Sequence, residues 1–98
     1  MKYLRWVGFR LNGHYGTLVM VFKEPPPTIR WNKVEALLMA CGVALRRGPG
    51  DGTFLEFGSV RAEVQTPERE VLAPTIRRTR NFLNDVGITP DKVRCFLA

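Results

Sequence analysis

Histidine is almost missing from this chain: His14 stands alone among 98 residues. The two cysteines, Cys41 and Cys95, lie far apart. A structural zinc site draws four ligands at close, characteristic spacings, so this inventory argues against zinc, and no metal or other cofactor is expected. Both cysteines fall where helices are expected, where each reads as a small buried apolar side chain, and nothing demands an oxidising compartment. The apolar run that follows the basic N-terminal residues, Leu18 to Phe22, is only five residues long. That is too short for a signal peptide or a membrane span, which leads us to expect a cytoplasmic protein with no membrane partner.

Acid is also scarce. Fifteen Lys and Arg face nine Asp and Glu, a net charge of +6, and no acid occurs between Pro74 and Asn84. The basic residues are spread along the chain rather than gathered in a tail. A basic surface on a small domain suits nucleic acid, an acidic protein or an anionic surface. Hydrophobic residues at 45% and charged residues at 24% describe an ordinary globular chain, long enough for one core and too short for two.

Hydrophobic periodicity then lays out the elements. Residues Met1 to Gly13 fit neither alternation nor a helical face and are read as an N-terminal extension to a single domain over 14–98. Thr17 is placed to cap a short helix, and Pro25, Pro26 and Pro27 make a stiff connector after it. Val34, Leu37, Leu38 and Cys41 share one stripe of a helix, with Asn32 and Glu35 spaced as a capping box and Gly42 as the stop. Three strands follow, the first carrying Val43 and Leu45, the second Thr53 to Phe57, the third Val60, Ala62 and Val64, with Gly58-Ser59 as a hairpin. Thr66 to Ala73 reads as a polar loop.

Pro74 opens a second helix whose buried face is Ile76, Thr79, Phe82, Leu83 and Val86, and Gly87 ends it. Thr89-Pro90-Asp91 starts a last helical turn. At 100° per residue the apolar set covers roughly 240° to 360°, and Arg77, Arg78 and Arg80 fall at roughly 40° to 200°. The expected fold is α+β, a three-stranded antiparallel sheet packed against two main helices. Trp31, Leu37, Leu38, Leu55, Val64, Phe82 and Leu83 are its expected core, and the three helix arginines are expected to be exposed and unpaired.

Several segments resemble a HicA-like toxin domain. They are Ile29-Arg30-Trp31, Val34-Glu35-Ala36-Leu37-Leu38, Gly42-Val43, Gly50, Val60-Arg61-Ala62, Asn81-Phe82-Leu83 and Val86-Gly87-Ile88-Thr89-Pro90. The resemblance runs from about His14 to Pro90 and lies in order and spacing rather than in one motif. It implies a double-stranded-RNA-binding-like α-β-β-β-α fold, an mRNA interferase activity, RNA as substrate and a HicB-like antitoxin as protein partner. The family's Gly-Ser-His, which supplies the catalytic base, corresponds here to Gly50-Asp51-Gly52. Its second histidine stretch corresponds to Gln65-Thr66-Pro67-Glu68.

Attack by a 2′-hydroxyl needs a group that exchanges a proton near neutral pH, for which imidazole is best suited. With Gly52 at the family's histidine position, impaired endoribonuclease catalysis is expected. Asp51 between two glycines reads first as a turn residue. His14, the one imidazole, is the remaining catalytic candidate. The candidate RNA contacts are Arg46, Arg47, Arg61, Arg77, Arg78 and Arg80. Two other readings stay open: a non-catalytic RNA- or partner-protein-binding domain of the same fold, and a small DNA-binding accessory protein.

Overall fold

The structure, a computed structural model, describes residues 13–48, 50, 52–65 and 70–97, with side chains through Val93. The N-terminal extension up to Asn12, Asp51 and the stretch 66–69 lie outside the described residues.

The described residues form an α+β fold, a three-stranded antiparallel sheet with helices. Helix α1 spans Tyr15–Val21, strand β1 Ile29–Arg30, helix α2 Trp31–Ala40, and strands β2, β3 and β4 span Ala44–Arg47, Gly52–Phe57 and Val60–Gln65. Strand β5 spans Glu70–Val71, helix α3 Ala73–Val86 and helix α4 Pro90–Leu97. β2, β3 and β4 make an antiparallel sheet in that spatial order, so β3 is central. The alternation of side chains sets two faces. Thr53 and Leu55 of β3 and Val64 of β4 are buried on the inner face. Arg46, Phe54, Glu56, Arg61 and Glu63 follow the opposite parity and form the outer face. Helix α3 packs along β4 and α2 against β2, with α1 against α2, α3 and α4.

The core is continuous across these layers. Leu18 and Val21 from α1, Val34, Leu37 and Leu38 from α2, Leu55 and Val64 from the sheet, and Ile76, Phe82 and Leu83 from α3 are all essentially inaccessible. All seven residues expected in the core from periodicity are buried. Thr79 lies on the same buried face of α3, and its hydroxyl donates to the Thr75 carbonyl one turn back at 2.9 Å, so no polar group is stranded there.

Two helices end alike. Gly87 takes a left-handed φ of 90°, its amide donates to Asn84 and the next amide, of Ile88, donates to Leu83 at 2.9 Å. Gly42 and Val43 repeat this pattern on Met39 and Leu38. In both cases the residue after glycine, Val43 or Ile88, is buried, which completes the hydrophobic part of a Schellman ending. Pro74 sits in the first turn of α3, and the Thr89 hydroxyl accepts from the Lys92 amide at the start of α4.

Three local expectations fail. No side-chain cap forms at Asn32: α2 starts one residue earlier, at Trp31, because Arg30 is held extended in β1 and burial of Trp31 draws it into the first turn. Thr17 lies inside α1, which begins after His14 without a side-chain cap. Within the expected loop, Glu70–Val71 pair with Ile29–Arg30 as a second, two-stranded sheet, with Ile29 and Val71 both buried. A two-residue bridge has no periodicity to read; its cause is burial of two apolar side chains distant in sequence.

The packing predicts a cost for opening the core. Leu38 is fully buried between elements, so Leu38→Ala should lower the unfolding free energy by about 2–5 kcal/mol in urea titrations. A loss well below that range would mean that α2 is not seated on the sheet as described.

Candidate nucleic-acid interface

The six candidate arginines do not form one patch. Arg46 and Arg61 extend from the outer face of the sheet, Arg47 ends edge strand β2, and Arg77, Arg78 and Arg80 belong to α3 on the helical side. An open concavity of about 330 Å³ on the outer face is lined by Arg46, Phe54, Glu56, Arg61, Ala62 and Glu63. Its charges alternate. Arg46 forms an ion pair with Glu56, diagonally across on β3, and its guanidinium lies 6.0 Å from the centroid of the ring of Phe54, the residue directly opposite it.

For Arg77 and Arg80 the expectation of unpaired helix arginines is overturned by an acid the local sequence does not offer. Glu24, 53 residues before Arg77, projects from the connector after α1 and is gripped by two guanidinium groups. Arg77 donates through Nη2 to Glu24 Oε1 at 2.6 Å and through Nε to Oε2 at 3.4 Å. Arg80 donates through Nη1 to Oε2 at 2.7 Å. Arg80 also donates through Nε to the Val21 carbonyl at 3.0 Å and through Nη2 to the Lys23 carbonyl at 2.6 Å. These are carbonyls at and beyond the C-terminus of α1, where the helix has run out of amides of its own and a cation is favoured. Arg80 is therefore a fastener between α1 and α3, with only 19% of its side chain exposed.

Arg78 has a different role: it donates to the main-chain oxygen of Glu63 at 3.2 Å, on edge strand β4 two residues from Arg61. Arg47, Arg61 and Arg78 form no ion pair among the described residues. Three of the six candidates thus carry a carboxylate and three do not.

At Gly52, the position that the resemblance assigns to the base, the first residue of β3 has no side chain and a carboxylate takes its place. A Cβ at position 52 would stand 2.5 Å from Glu63 Oε2, so Glu63 leans over the glycine. A carboxylate there repels a phosphodiester. His14 precedes α1 on the helical side, half-buried, and no hydrogen bond links its imidazole to any described residue. The buried Cys41 thiol is pushed up to about 12 by loss of solvation, so it stays protonated and is no nucleophile. Asp51 lies outside the described residues. Among the described residues no group of three His, Cys, Asp or Glu could hold a metal ion, and no helix is long and apolar enough to cross a membrane.

Sequence reasoning missed Glu24 as a functional residue. The signal available was slight: a lone acid directly before Pro25-Pro26-Pro27, in a region otherwise basic.

Two outcomes follow from the grip. Arg80→Gln should destabilise the fold by about 1–3 kcal/mol, since two carbonyls and a carboxylate lose a charged donor, whereas Arg78→Gln should change stability by well under that in the same denaturation assay. Hydrogen bonds from Arg77 and then Arg80 pull the Glu24 carboxyl from its ordinary 4.5 down to about 2. A depressed folded-state pKa stabilises the fold above the unfolded value and loses that contribution as pH falls through the folded one. The parent should therefore lose stability between pH 4.5 and pH 2 more steeply than Glu24→Gln, and parallel curves from thermal unfolding across that window would contradict the assignment.

No protein-family model, no curated protein and no solved structure matches this chain.

Proposed function

We propose that this chain is a HicA-like, double-stranded-RNA-binding-like domain that binds RNA through its phosphates and in which catalysis is impaired. The observation that carries this reading is that two arginines associated with edge strand β4, Arg61 on its outer face and Arg78 reaching from α3 to the Glu63 main-chain oxygen, are both exposed and outside any ion pair among the described residues. Arg47, exposed at the end of the opposite edge strand and in register with Thr53, adds a separate basic group at the margin of the sheet. Phosphate contacts of this kind are blind to sequence and sensitive to salt. The α2-β2-β3-β4-α3 order and the one-sided helical layer agree with the expected α-β-β-β-α module.

Impairment follows from Gly52 and the carboxylate of Glu63 above it. The DNA-binding alternative loses ground because Arg77 and Arg80, on the face of α3 that would enter a groove, are engaged by Glu24 and main-chain oxygens. In a toxin–antitoxin module the protein partner would be a HicB-like antitoxin. The reading of a non-catalytic domain that docks a partner protein is favoured by one observation, the Arg46–Glu56 pairing that leaves the outer face of the sheet mixed in charge.

Fluorescence anisotropy with RNA oligonucleotides at several salt concentrations tests the proposal. Binding should weaken linearly on logarithmic axes, and the Arg61→Gln, Arg78→Gln double variant should flatten that slope by about 1.4–1.8, roughly 0.7–0.9 per phosphate contact. An unchanged slope would turn the reading towards a protein partner. Ribonuclease activity of the purified protein should be weak or absent. Robust metal-independent cleavage that survives both His14→Ala and Asp51→Asn would overturn the impairment.

A further inference from the structure

The Arg77–Glu24–Arg80 cluster is more than a surface ion pair. Two guanidinium groups converge on one carboxylate, so a single negative charge sits among two positive ones, and the local balance remains positive. Arg80 is fixed in place through its other two donors on Val21 and Lys23, leaving Nη1 pointed at the shared anion. Arg77 presents Nη2 and Nε side by side, with 46% of its side chain exposed. A rigid guanidinium behind and a forked one in front form an arrangement suited to two or three oxygens of one oxyanion. Preorganisation of Arg80 by the helix end lowers the ordering cost of binding there.

We infer that Arg77 and Arg80 form a phosphoryl-oxyanion subsite and that Glu24 is its built-in occupant, which a phosphate group displaces. A carboxylate offers two oxygens and one charge. Inorganic phosphate or a phosphate monoester offers at least three terminal oxygens and up to two charges, so it competes for the same donors from a stronger position, whereas an internal phosphodiester matches the carboxylate in oxygens and charge. Glu24 is on an irregular connector between α1 and β1 and is itself half-exposed, so it can swing aside without disturbing helix or strand. The grip on the Val21 and Lys23 carbonyls remains when it does. The subsite thus switches from a fold-holding state to a ligand-holding state by exchanging one anion for another. Extension of this subsite to a nucleic-acid backbone rests on the RNA reading above; the phosphate subsite itself does not.

The test compares the parent with Glu24→Gln, which keeps the side-chain shape and a carbonyl acceptor while removing the charge. Inorganic phosphate is titrated in and the guanidinium Nε–H signal of Arg77 is followed by nitrogen-edited NMR. The expected result is that phosphate shifts the signal in the variant at a roughly tenfold lower concentration than in the parent, the scale set by one charge-assisted hydrogen bond. Equal concentrations in the two proteins would overturn the subsite.

The unmodified chain supplies a second readout should the variant fail to fold. In it, phosphate should move the Glu24 carboxyl-carbon and Arg77 Nε–H signals together as the carboxylate leaves, and a carboxyl signal unmoved at phosphate saturation would also overturn the proposal. An RNA oligonucleotide then separates the two readings. Tighter RNA binding by Glu24→Gln, with a salt slope steeper by about one contact, supports both. Phosphate binding gained without any gain for RNA keeps the subsite and removes RNA as its ligand.

Discussion

Burial of the apolar face of α3 decides the rest of the structure. Ile76, Thr79, Phe82 and Leu83 occupy one side of that helix and are sealed against β4 and α1. The rotation of the helix about its axis is then no longer free, and every other residue on it has an assigned direction. Arg77 and Arg80 are turned towards the connector beyond α1, and Arg78 towards the edge of β4. The hydrophobic seam thus determines which cations meet a carboxylate, which meet main-chain oxygen, and which remain available to a ligand. Electrostatics at this surface is a consequence of packing before it is a cause of anything.

That order of causes explains which features were legible in the sequence. The stripes Val34-Leu37-Leu38-Cys41 and Ile76-Thr79-Phe82-Leu83 repeat with the helical period, and both proved buried because period and burial have one physical origin. Gly42 and Gly87 announced helix ends because few other residues adopt their backbone conformation at low cost. The bridge between Ile29–Arg30 and Glu70–Val71 was not legible, since two residues carry no period and their partners lie far along the chain. The capping role expected of Asn32 lost to burial of Trp31, a larger apolar surface than one capping hydrogen bond can offset.

The candidate site divides along the same line. Gly52 could be recognised as a departure from the catalytic pattern by inspection, and the geometry adds that Glu63 covers the gap. The pairing of Arg77 and Arg80 with Glu24 could not be inferred from spacing on the helix, because the partner comes from an irregular connector more than fifty residues earlier. Net charge counted all six arginines alike. Three-dimensional placement distinguishes Arg46, Arg77 and Arg80, which carry carboxylates, from Arg47, Arg61 and Arg78, which do not among the described residues.

Residue-by-residue reactivity of the arginines towards phenylglyoxal, read by mass spectrometry of the folded protein, tests that division most directly. Modification requires an accessible guanidinium not committed to other partners. Arg47 and Arg61 should react fastest, Arg77 more slowly, and Arg80 slowest of all, because each of its three nitrogens already donates to Val21, Lys23 or Glu24. Modification of Arg80 at the rate of Arg61 in the intact fold would contradict the account, since the seam would then not be holding α3 in the orientation on which the division depends.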